Sequence, residues 1–145
     1  MSLAQAQPVA KPSSLESQMR MLGGAAKQAA AALALVSSEQ KIAALRAMAQ
    51  AIRAQVAAIL AANAEDMKAA EARNLSVALL DRLKLDDQRV EAMAKGLEEI
   101  AAQPDPVGRV LAEWTRPNGL KIARVSVPLG VIGIIYESRP NVAAD

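Results

Sequence analysis

Apolar residues recur along this chain with three different periods. Up to about residue 102 they return every three or four positions, from 110 to 127 they alternate with polar ones, and from Val131 to Tyr136 they run on without a break. The first pattern predicts amphipathic helices, the second exposed strands, and the third a strand covered on both faces. Ser13 followed by Glu16 fits a capping box, and behind it a helix is predicted to Leu35, with Leu15, Met19, Leu22, Ala26, Ala29 and Leu33 on one face. Gly23 and Gly24 weaken it locally. A second box, Ser37 to Gln40, opens the clearest stripe: Ile42, Leu45, Ala49, Ile52, Val56 and Ile59.

Asn63 is positioned to cap the next helix, with Glu65 and Asp66 in its first turn. That helix is expected to end near Arg73 and Asn74. A short one follows around Val77 to Leu83, and then Asp86 or Asp87 caps a helix to about Ala102, with Val90, Met93, Leu97 and Ile100 inward. Pro104 and Pro106 stop it. Beyond them, Val110 to Thr115 and Leu120 to Val127 flank Arg116-Pro117-Asn118-Gly119, and Asn-Gly signals a hairpin. Four or five helices, a hairpin and a buried strand make an α/β chain. A parallel strand needs neighbours, and the sequence offers none, so the sheet is expected to be incomplete here.

Composition narrows the function classes. The 145 residues are 52% hydrophobic and 22% charged, in the range of a globular domain. There is no Phe, one Trp and one Tyr, so small aliphatic side chains must fill the core and bring helices close together. The formal charge is only +2. The sequence pI of about 9.2 is high because neither His nor Cys titrates between the carboxylates and the amines. No nucleic-acid footprint follows from so small an excess. The lack of Cys rules out disulfides and thiolate ligands within the chain, and the lack of His removes the commonest general base. No stretch is long and apolar enough for a signal peptide or a membrane span, so a soluble cytoplasmic protein is predicted, with residues 1–12 as a flexible tail.

The chemistry-bearing candidates are few. The acidic pairs Glu65-Asp66, Asp86-Asp87 and Glu98-Glu99 are neighbours on helices, so their side chains diverge; they read as capping and surface charge. Gly130 and Gly133 make only a GxxG, short of a dinucleotide fingerprint. Ser138 has no His to activate it and reads as a capping or positioning group. The cluster Glu137-Ser138-Arg139-Pro140-Asn141 follows the continuous strand, where α/β sheets bind ligands. Pro140 suits a first helical turn, Arg139 offers a fork for phosphate or carboxylate, and Asn141 an amide for an oxyanion. Spacing alone leaves an anion site and a capping surface loop equally open.

The segment VPLGVIGIIYESRPNVAAD closely resembles the γ-glutamyl phosphate reductases, a family of the aldehyde dehydrogenase superfamily. AANAEDMKAA (61–70), LLDRLKL (79–85), DPVGRV (105–110) and WTRPNGL (114–120) support the resemblance, which runs from about Leu15 to the last residue. General aldehyde dehydrogenases share the PxGVxG entry, but YESRPN narrows the match. The resemblance implies an N-terminal helical layer with the first strand of a Rossmann-type parallel sheet (13–110 and 128–145) and an oligomerisation hairpin (111–127). It implies a catalytic Cys domain lying outside this chain. The implied reaction is NADPH-dependent reduction of L-glutamate 5-phosphate to the semialdehyde through a Cys thiolate. By motif position Asn141 becomes a candidate oxyanion donor, and Ser138 and Arg139 candidate substrate-anion ligands. An ungapped match to ordinary aldehyde dehydrogenases instead sets Arg139 opposite their oxyanion Asn. The implied partners are the small substrate and further copies of the chain, with no nucleic acid and no membrane. Two other readings stay open: another aldehyde- or acyl-phosphate-reducing member of the superfamily, and a small helical protein presenting the Ile42–Ile59 stripe to a partner.

Overall fold

The computed structural model describes residues 14–144; the expected tail, the Ser13 cap and Asp145 lie outside them. Five helices precede a two-stranded ribbon: α1 (Leu15–Leu33), α2 (Ser38–Ala54), α3 (Val56–Ala72), α4 (Val77–Leu83), α5 (Asp87–Ala101), then β1 (Val110–Thr115) and β2 (Lys121–Val125). A single 3-10 turn, Pro140–Ala143, closes the described chain. The fold divides into two compact units. The first contains α1 and residues 128–132, and the second contains 36–127 with 133–144.

In the first unit α1 is capped by Ser14, whose hydroxyl accepts from the Ser17 N–H. Glu16 and Arg20 pair one turn apart at 2.8 Å. Its apolar stripe does form on one helix, but Leu15, Met19, Leu22 and Leu33 are all exposed. Gly23 and Gly24 remain helical.

In the second unit, the Ser37 capping box is present, with Ser37 and Gln40 each bonding the other's backbone N–H. The α2 stripe packs along α5. Ala49 and Ala94 are fully buried and meet Leu97, with Leu45 and Ile52 against them. Small side chains at this crossing allow the close approach that the composition anticipates. The reading of an unpartnered interaction stripe is corrected here, because the stripe already covers α5. Arg53 ties the same helix pair at its edge. Its guanidinium bonds Glu91 at 2.8 Å and Glu98 at 2.5 Å, so Glu98 is structural, as the acidic-pair reading anticipates.

Three helix expectations need correction. The stripe does not continue through one helix: the chain bends by 67° at Gln55, and α3 starts there. Asn63 is therefore not a cap but lies inside α3, 5% exposed, and Glu65 and Asp66 are not in a first turn. Its amide has a tertiary role that outweighs capping, because the Asn63 Nδ2–H donates to the Leu83 carbonyl (2.8 Å) and Oδ1 accepts from the Leu85 N–H (2.7 Å). On α5, Val90 and Leu97 are buried as predicted, while Ile100 is exposed. The end of α3 is a Schellman motif: Leu75 N–H bonds Ala70 O, Asn74 N–H bonds Glu71 O, and Asn74 takes φ +54.

The hairpin forms antiparallel, with Trp114 opposite Ile122 and Thr115 opposite Lys121, and with an irregularity at Leu111. The tight turn spans Arg116–Gly119, closed by Gly119 N–H to Arg116 O. Pro117 and Asn118 are thus its central pair, and Gly119 follows with φ +86, the left-handed residue of a bulged loop. At the base, Asp105 accepts from Lys41 Nζ (2.7 Å), Ser38 Oγ (2.9 Å) and Val107 N–H (2.9 Å), fastening the approach to β1 onto the start of α2. Both faces of the ribbon are largely exposed.

The expected third strand is a further correction. Val131 to Tyr136 has no regular structure, and its apolar side chains stand in solvent, Ile135 fully so. A strand exists only through ladder bonds to a neighbour, and among the described residues the sheet has only β1 and β2. No single described helix is long and apolar enough to cross a membrane.

Candidate functional site

Lys84 and Leu85, just after α4, and the turn from Arg139 to Asn141 meet at a cleft of about 600 Å³ in the second unit. Its wall carries Arg82, Lys84 and Arg89 on one side and Arg139 with Asn141 on the other, over the α5 residues Ala92 and Met93. The positive excess is partly internal. Arg89 Nη2–H donates to the Asp81 carboxylate at 2.9 Å, and Nη1–H donates to the carbonyls of Lys84 (2.7 Å) and Asp81. Arg89 therefore braces the loop and neutralises the cleft's carboxylate. The side chains of Arg82, Lys84 and Arg139 make no hydrogen bond or ion pair among the described residues. Three cations thus line a concave surface with no ion-pair partner among the described residues, an arrangement that draws anions.

The loop that presents Lys84 is held from three directions. Asn63 takes the carbonyl before it and the amide after it, and Arg89 takes its own carbonyl. Asp86 completes the corner by accepting from the Arg89 N–H at 2.8 Å, so α5 starts where the loop ends.

The sequence-predicted residues divide between two sites. Arg139 and Asn141 line this cleft together. Ser138 does not: it faces a smaller cleft of about 280 Å³ with Arg73, Leu75, Leu79 and Glu137. The backbone explains the split, because Ser138 takes φ +54, a conformation that L side chains rarely adopt, and turns the chain between Glu137 and Arg139. Pro140 begins a 3-10 turn in which the Asn141 carbonyl accepts from the Ala144 N–H at 2.8 Å. Arg82, Lys84 and Arg89 do not stand out in the sequence as site residues. LLDRLKL supports the family resemblance but points to no site, and its alternation of charge and Leu reads equally well as the end of a short helix.

No family model matches the chain. A curated relative, the γ-glutamyl phosphate reductase of Paramagnetospirillum magneticum, is 67% identical over 131 residues, covering 90% of this chain and 31% of the relative. The chain belongs with the γ-glutamyl phosphate reductases, as their N-terminal part. That of Methylocella silvestris is 58% identical over 94% of the chain and 32% of its own length, so the chain spans about a third of the curated relatives it matches. Solved structures agree in fold. The reductase crystal structure from Thermotoga maritima superposes with a TM-score of 0.79 at 41% identity, covering 82% of this chain and 29% of that one. The Saccharomyces cerevisiae structure gives 0.81 at 33% identity, covering 90% and 33%. The fold described above is thus shared with part of these solved reductase structures.

Proposed function

We propose that this chain is the N-terminal part of an enzyme that reduces L-glutamate 5-phosphate to L-glutamate 5-semialdehyde and phosphate in proline biosynthesis, with NADPH as reductant. The observation that carries the reading is the 67% identity to a γ-glutamyl phosphate reductase across nearly the whole chain. The cationic cleft beside Arg139 and Asn141 supports it, because the substrate is an anion and its carbonyl oxygen gains charge as the acyl phosphate is attacked. In this proposal Asn141 donates to that oxygen and Arg139 takes an anionic group of the substrate. Ser138, a candidate substrate-anion ligand beside Arg139, lines the neighbouring cleft and turns the chain into Arg139. The attacking thiolate comes from the part of the protein outside this chain, which has no Cys.

Residues 13–110 and 128–145 belong, on this reading, to the N-terminal part of the cofactor domain. There Val131–Tyr136 would pair as a strand of a Rossmann-type parallel sheet. Residues 111–127 would form an oligomerisation element, since an isolated hairpin with both faces wet gains little stability of its own.

The assay is phosphate-dependent oxidation of glutamate 5-semialdehyde with NADP by the full-length protein. Turnover is expected, and a folded protein without it would overturn the assignment. Asn141→Ala is expected to lower kcat by about 10²–10³, the usual consequence of losing one oxyanion donor. Unchanged turnover would remove Asn141 from that role.

A further inference from the structure

The strongest feature outside the expected motif is the charged corner between α4 and α5. Arg82 lies in the last turn of α4, Lys84 is the residue just beyond its end, and both line the cleft with Arg139 without a partner among the described residues. Exposed cations alone describe most protein surfaces. The backbone beneath Lys84 differs from an ordinary surface loop, because the Asn63 side chain, 5% exposed, bonds the residues on either side of it. Arg89 fixes the Lys84 carbonyl and takes up the Asp81 carboxylate, the acidic group that could otherwise have neutralised the corner. A buried amide and an arginine thus hold a short loop whose exposed product is a pair of uncompensated cations facing a third.

We infer that Arg82 and Lys84, with Arg139 across the cleft, form a binding site for the phosphoryl group of a small ligand, and that Asn63 is its positioning residue. The identification of that ligand as an acyl phosphate rests on the proposed function; the phosphoryl site itself rests on the corner's geometry. Three positive side chains suit a dianionic phosphoryl better than a single carboxylate. The two arginines supply planar forks and the lysine a compact point charge. Pre-organisation by Asn63 and Arg89 lowers the ordering cost of binding.

The test is titration of the full-length protein with inorganic phosphate, followed by calorimetry, beside the same titration with L-glutamate. Lys84→Met and Arg82→Met should each weaken phosphate binding by about tenfold or more, the scale of one charge-assisted hydrogen bond, and leave glutamate binding nearly unchanged. Lys84→Arg, which keeps the charge, should bind phosphate more tightly than Lys84→Met. Both positions are exposed, so these variants fold. Unchanged phosphate affinity in both Met variants would overturn the site. Loss of glutamate binding with phosphate binding intact would overturn the phosphoryl assignment. Weakened phosphate binding in a protein that turns over no acyl phosphate would uphold the site and sink the proposed activity instead.

Discussion

Asn63 offers the sharpest test of how the cleft is built. Replacing it with Ala removes two hydrogen bonds of 2.8 and 2.7 Å and leaves the Leu83 carbonyl and the Leu85 N–H facing a space where the amide stood. A polar group stripped of its partner inside a protein costs about 1–3 kcal/mol, so two would cost about 2–6 if both were fully dry. Leu83 and Leu85 are only half-buried and water can reach part of the gap, which places the expectation near 2–3 kcal/mol. The loss should be local before it is global, because α3 and α5 keep their other contacts. Native-state hydrogen exchange of the peptide covering 83–85 is the direct assay. Protection of the Leu85 amide should fall by about 30- to 150-fold, while protection in α2 changes less. Asn63→Asp keeps the acceptor for Leu85 but sets an oxygen against the Leu83 carbonyl, so it should fall between wild type and Ala only if each bond contributes separately. A change below about 0.5 kcal/mol in Asn63→Ala would refute the view that this amide organises the loop.

Other perturbations test the remaining joints. Asp105 is held at a pKa of about 2 by the Lys41 ammonium, then by the Val107 N–H and the Ser38 hydroxyl. A depressed carboxyl stabilises the fold above its ordinary value near 3.8, and that stability is lost as the pH falls toward 2. Asp105→Asn should therefore flatten acid unfolding in that window, seen by circular dichroism. Glu91 and Glu98 are both held below the usual range by hydrogen bonds from Arg53, and Arg53→Gln should raise both pKa values in an NMR titration. Ala49→Leu forces three extra carbons into the fully buried α2–α5 crossing and should cost about 1–3 kcal/mol or more, measured by urea denaturation. Gly119→Val places a branched side chain at φ +86 and should destabilise the hairpin by about 1–2 kcal/mol, read from exchange in β1 and β2.

Local rules made much of this fold readable. The Ser37 box, the Asp86 cap and the breaks around Asn74 and Pro104 each depend on neighbours within a turn, so the sequence states them openly. The hairpin was legible for the same reason, although Pro117 and Asn118, not Asn118 and Gly119, became its central pair. Misreadings fall where tertiary demands compete. Asn63 carries a strong capping residue type, but two backbone groups twenty residues away claim its amide. The bend at Gln55 has no Pro or Gly to announce it. Val131 to Tyr136 carries a strand's composition, yet composition cannot supply a partner's ladder. At the candidate site, Arg139 and Asn141 of YESRPN line the cleft, whereas the other cations lining it come from residues at helix ends whose place there depends on packing.

The unpaired stretch from Val131 to Tyr136 also bears on how a polypeptide of this length behaves in a test tube. It is six residues of Val, Ile, Gly and Tyr with no charge and no proline, its side chains open to water. Segments of that kind stack edge to edge with copies of themselves into cross-β assemblies. Glu137 and Arg139 flank one end as charged gatekeepers, but Leu129 and Gly130 leave the other end unguarded. Handled in isolation, the segment that leads into the turn at the cleft is also the one most prone to draw the chain into aggregates.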